Sequence, residues 1–131
     1  MRTIKFRGKR LDNGEWVYGG IHHASGDAVT IIEPIDRDEI SVAHRLVEAS
    51  TVGQFTGLLD KTGKEIWEGD ICRTYDWHKN EDGSTTLSEK NKYYYNVVIE
   101  YKIGKIWTGY TVHSWYEVIG NIHDNPDLLQ P

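Results

Sequence analysis

The chain has 131 residues, 38% hydrophobic and 27% charged, which fits a single domain, or one small barrel with an extension, and excludes global disorder. Its one cysteine, Cys72, excludes an internal disulfide and a zinc site of several thiolates, and no apolar run approaches the roughly 18 residues needed to span a bilayer. The net charge of −5 argues against duplex binding over the whole surface, yet Arg2, Lys5, Arg7, Lys9 and Arg10 put five positive charges and no acid in the first ten residues.

The opening reads as a β-hairpin. Ile4 and Phe6 alternate with Lys5 and Arg7, and Asp12-Asn13-Gly14 is a strong turn signal before Glu15, Trp16, Val17 and Tyr18. Gly19-Gly20 permits a bend. His22 and His23 are adjacent, so they point to opposite faces of an extended chain and make a poor metal pair. Ser25-Gly26-Asp27 marks a turn, and Ala28 to Ile32 forms a short strand ended by Glu33-Pro34. Between Arg37 and Ala49 two readings stay open. Val42, His44 and Leu46 alternate with Ala43, Arg45 and Val47, as in a strand, while Ile40, Ala43, His44 and Val47 would share one face of a helix; the strand is favoured.

The stretch from Thr51 to Ile71 organises the rest. Thr51 to Leu59 favours a strand; Asp60-Lys61-Thr62-Gly63 reverses the chain, the Asp accepting from turn amides and the Gly free to take positive φ. Glu65, Ile66 and Trp67 start a new strand, and Glu68-Gly69-Asp70-Ile71 turns a corner into the next. Cys72, just after it, fits a small buried apolar residue. From Asp76 to Ser84 the chain is polar and rich in turn residues, so a long loop near 76–92 is expected, with Trp77 and His78 as exposed candidates. Tyr93, Tyr94 and Tyr95 lead into a core strand through Ile99 and Tyr101. Ile106, Trp107 and Thr108 open another, Tyr116 to Ile122 form a last one, and Asn125-Pro126 signals a terminal helical turn.

Catalytic signatures are absent. Gly53-Gln54-Phe55-Thr56-Gly57 lacks the Lys-Ser/Thr of a phosphate loop, and nothing in the order of residues brings Glu68, Asp70, His113 and His123 together for acid–base work. No enzyme activity, cofactor or metal is expected. Two binding roles remain: a self-associating protein-binding module, favoured by the aromatic content and by a cationic end set against an acidic body, and, less favoured, a binder of single-stranded nucleic acid. Arg7, Lys9, Arg10, Trp77, His78, Tyr93, Tyr94 and Trp107 are the candidate surface residues for either.

Three blocks, KFRGKRLDNGEWVYGG from Lys5 to Gly20, the central stretch just described, and YEVIGNIHDNPDLL from Tyr116 to Leu129, resemble the YopX family of small proteins encoded largely by phages and prophages. The resemblance implies a mainly β protein with an SH3-type barrel that associates with itself and has no catalytic residue to carry over. The expected organisation is an N-terminal hairpin and meander over 1–48, packed on an SH3-type barrel over 49–131 with a short C-terminal turn. The expected partners are further copies and a phage or host protein, with no membrane association, in the cytoplasm of the bacterial host.

Overall fold

A computed structural model describes residues 3–23, 26–35, 41–75, 77–79, 85–87, 94–100 and 116–129. The chain is mainly β, and it divides into two compact units, Met1–Gly57 and Leu58–Pro131.

In the first unit, β1 (Phe6–Lys9) and β2 (Trp16–His23) form the predicted hairpin, with Phe6 opposite Gly19 and Lys9 opposite Trp16. Its turn is held by Asn13, whose Oδ1 accepts from the Glu15 amide at 3.0 Å. β3 (Val29–Pro34) pairs with β2, β4 (Val42–Val47) pairs with β3, and β5 (Gly53–Leu59) lies on the other side of β1, giving the antiparallel order β4-β3-β2-β1-β5. Within the segment open to two readings, Val42–Val47 is thus a strand. Alternation puts Val29 and Val47, which are cross-strand partners, on the inner face with Val17 and Ile31, and Phe6, Ile21 and Val52 pack around them. At Gly19 any Cβ would lie 1.9 Å from the Ile32 carbonyl oxygen, so only glycine lets β2 and β3 approach as they do.

The end of β4 returns to the end of β1. Arg10 and Val47 form a bridge, the Leu11 amide donates to the Leu46 carbonyl at 3.1 Å, and the Glu48 amide donates to the Lys9 carbonyl at 2.8 Å. A short 3-10 turn, Ala49–Thr51, locks this junction, because the Thr51 hydroxyl accepts from the Lys9 amide at 2.9 Å and donates to Glu48. The contact is one bridge long, and among the described residues the antiparallel sheets are not closed into a barrel.

In the second unit, β5 continues past Gly57, turns at Asp60–Gly63 and returns as β6 (Glu65–Trp67). Gly69, at φ +92°, makes the corner that Asp70 stabilises by accepting from the Trp67 amide at 2.7 Å. β7 (Asp70–Tyr75) is then the centre of a three-stranded sheet between β10 (Tyr94–Val98) and β11 (Glu117–Asn121). Ile66, Cys72, Ile99 and Tyr116 form its core, with Leu58, Val97 and Val118 around them. Part of the stretch expected as loop near 76–92 is instead a two-stranded ribbon, β8 (Trp77–Lys79) against β9 (Thr85–Leu87). Trp77 and the threonines at 85 and 86 suit a pleated backbone better than the polar residues between them suggest. The predicted terminal turn is the 3-10 helix Pro126–Leu129. Gly120 in β11 is needed for its approach, since a Cβ there would lie 2.5 Å from Asn125 Oδ1.

Candidate functional site

Lys5, Arg7 and Lys9 alternate along the first strand and so share the face opposite Phe6 and the apolar core. Each sits over an aromatic ring. Lys5 Nζ is 4.7 Å from the centroid of Phe55, the Arg7 guanidinium carbon is 4.6 Å from that of Trp16, and Lys9 Nζ approaches the same Trp16 ring at 5.6 Å. Arg7 is only 7% exposed. The basic strand is therefore not a plain solvated face, because its cations cover Phe55 and Trp16. Neither ring was singled out from the sequence. The signal for Trp16 was available, since a tight Asp-Asn-Gly hairpin places it opposite Lys9.

Arg10 behaves differently. Its guanidinium makes a two-pronged contact with Asp12, Nε to Oδ1 at 2.9 Å and Nη2 to Oδ2 at 2.5 Å. That hydrogen bond raises the pKa of Arg10 and lowers that of Asp12 from their ordinary values. Beyond it lies an open cavity of about 180 Å³, lined by Arg10, Leu11, Asp12, His44, Arg45 and Leu46, between the hairpin turn and β4. Arg45 is also held, its Nε 3.1 Å from Glu33.

The outer face of β2–β4 carries His22, Thr30 and Leu46 as one cross-strand row, and Ile32 with His44 as the next. Val42 and Leu46 are 43% and 48% exposed, Tyr18 of β2 and Leu11 at the cavity are also exposed, and the rings of His22 and His44 meet edge to face at 6.5 Å. Val42 and Leu46 were read from the sequence as strand residues, but their outward direction depends on register, which the alternation of six mostly apolar residues did not fix.

Of the other candidate residues, Trp77 and His78 lie on β8 opposite Leu87 and Thr86, and Tyr94 lies on β10 opposite Tyr75. Tyr93 and Trp107 lie outside the described residues. Arg7, Lys9 and Arg10 are brought together along β1 and at its end.

The buried acids serve the scaffold. Asp60 Oδ1 accepts from the Thr62 amide at 2.8 Å, the Thr62 hydroxyl at 2.7 Å and the Lys64 amide at 2.9 Å, and Oδ2 accepts from the Val118 amide at 2.9 Å. Burial pushes its pKa up, but these hydrogen bonds, led by Val118, outweigh that and hold it below the usual carboxylate range. Cys72 is fully buried, and burial, reinforced by the charges of Asp70 and Asp60, pushes its thiol pKa up to about 12. Among the described residues, no group of three or more His, Cys, Asp or Glu side chains is placed to hold a metal ion.

These features define a mainly β protein whose most distinctive surface is an edge strand with exposed apolar side chains beside a cavity lined by two ion-paired arginines. Residues 5–130 match the YopX protein family, and the chain belongs to that family. It is similar to a solved structure described as protein EF1440 from Enterococcus faecalis, with 25% identity and a TM-score of 0.51 over 99% of this chain and 100% of that one. No curated protein matches it.

Proposed function

We propose that the chain is a non-enzymatic, self-associating protein-binding module of phage or prophage origin, acting in the cytoplasm of the bacterial host. The observation that carries this reading is the outer face of β2–β4, where Val42 and Leu46 are nearly half exposed beside Ile32 and two histidines. Such side chains gain by covering one another in a second copy, at about 25 cal/mol per Å² of apolar surface removed from water. Asp60 and Asp70 accept from turn amides, and Cys72 is buried with a raised pKa.

The SH3-type arrangement proposed for 49–131 belongs to the same reading, and what supports it there is the Asp60–Gly63 turn between β5 and β6 and the Gly69–Asp70 corner into β7.

Light scattering across a micromolar concentration series tests the self-association. The expected result is a molar mass of two or more subunits that falls on dilution; the mass of one subunit throughout contradicts the proposal. A second reading, single-stranded nucleic-acid binding, has one observation in its favour, the row of Lys5, Arg7 and Lys9 over Phe55 and Trp16. It predicts salt-sensitive binding of a labelled single-stranded oligonucleotide that weakens in a Lys5→Ala, Lys9→Ala variant, and no binding at low salt removes it.

A further inference from the structure

We infer that His22 and His44 are half of a zinc site, completed when a second copy brings the same two histidines to the metal across a two-fold interface. The inference rests on the reading of the outer face of β2–β4 as a self-association surface, and it names the ion that controls the contact.

These two histidines meet only through the fold. His22 lies on β2 and His44 on β4, with β3 between them, so their backbones are at least about 9.5 Å apart at roughly 4.7–4.9 Å per strand. Their ring centroids are nevertheless 6.5 Å apart, edge to face, which means that both side chains lean toward each other over β3. Both are exposed, on the face that also carries Val42 and Leu46. Two imidazoles on one tetrahedral zinc, with Zn–N bonds of about 2.0–2.1 Å, have their centroids roughly 5 Å apart. Closing the pair takes a shift of about 1.5 Å by rotation of two exposed side chains, with the backbone in place. His23, next along β2, points to the opposite face and stays out of the set.

A single chain leaves the set half filled. Among the described residues no third His, Cys, Asp or Glu stands with the pair, whereas a structural zinc site takes four ligands. A two-fold contact sets one patch against its own copy, so the second chain adds two more imidazoles and makes the four. The reach is adequate. Sheets stacked face to face lie about 10 Å apart, which puts an ion midway about 5 Å from each backbone plane, within the length of a histidine side chain. Charge does not oppose the contact either, because the charged residues bordering the face are paired within the chain, Glu33 with Arg45 and Arg10 with Asp12. Val42 and Leu46 flank His44 along β4 and supply an apolar rim around the ion. Nitrogen ligands without carboxylates select a transition ion over calcium or magnesium.

The test is sedimentation velocity of the full chain, stripped with a chelator, with and without zinc chloride, beside a calorimetric zinc titration. Zinc is expected to strengthen self-association at least about tenfold, to bind at about one ion per two chains, and to be reversed by the chelator. His22→Ala and His44→Ala should each keep the circular dichroism spectrum and lose the zinc effect, while His23→Ala keeps both. Cobalt(II) in place of zinc gives a second readout, the intense visible absorption of a tetrahedral site, expected from the wild type and from His23→Ala and absent from the other two variants. One ion per chain without association, a zinc effect that survives both His22→Ala and His44→Ala, or no tetrahedral cobalt band each overturns the inference. Association that is equal with and without zinc overturns the metal and leaves the self-association reading standing; the mass of one subunit in both conditions overturns the two together.

Discussion

Asp60 shows how much a single side chain decides in this protein. Its local role could be read from Asp60-Lys61-Thr62-Gly63, because a turn of four residues is fixed by chemistry along the chain. Its bond to Val118 spans 58 positions and leaves no local trace. Replacing Asp60 with Ala leaves the Thr62, Lys64 and Val118 amides without their acceptor, and should cost about 3 kcal/mol in denaturant unfolding, with Asp60→Asn costing less because one acceptor oxygen survives. The pH dependence follows from the lowered pKa. The stabilisation is complete above the unfolded-state value of about 3.9 and is lost as pH falls through the lower folded value, so wild type and Asp60→Asn should converge in stability under acid. Cys72 gives a second check at this scale. With a thiol pKa of about 12 and no exposure, it should resist thiol-specific reagents in the native protein and react once the chain is unfolded in denaturant; fast native labelling would contradict its burial.

Among the elements, β4 and the cationic strand show where sequence reasoning stopped. The strand at 42–47 was readable as one of two alternatives, and the pairing of six consecutive residues with β3 decides it, a contribution from tertiary structure that periodicity in an apolar run cannot supply. For β1 the alternation was read correctly but its partners were not. The sequence sets Lys5, Arg7 and Lys9 against solvent, phosphate or the acidic body of another copy, and leaves out the rings because Phe55 arrives from the distant β5 and the hairpin register that brings Trp16 in is settled only once the turn forms. The ribbon at 77–79 and 85–87 was read as loop because the turn residues around it dominate the local composition. Gly19 tests the close approach of β2 and β3. An alanine Cβ 1.9 Å from the Ile32 carbonyl oxygen would force β2 and β3 apart, so Gly19→Ala should lower stability by about 3 kcal/mol, whereas Gly14→Ala, with nothing near its Cβ, should cost less and only through its φ of +73°. Equal effects in thermal unfolding would contradict the close approach.

At the scale of the whole chain, the mainly β class followed from alternating segments and glycine- or asparagine-directed turns, and family membership supports the continuity of that plan from residue 5 to residue 130. The chain divides into the compact units Met1–Gly57 and Leu58–Pro131 within β5, a strand that pairs with β1 at its start and turns into β6 at its end. A strand that serves two units gives no composition change at the boundary. The surface reading was legible only as a tendency. The aromatic content points to a covered face without saying where it lies, and the register of β2–β4 then says which side chains are left outward. The most direct test of that account is sedimentation velocity of the wild type beside a Val42→Glu, Leu46→Glu double variant at matched micromolar concentrations. An associating wild type and a variant of one-subunit mass with an unchanged circular dichroism spectrum are predicted; a monomeric wild type, or a variant that associates as strongly, would contradict it.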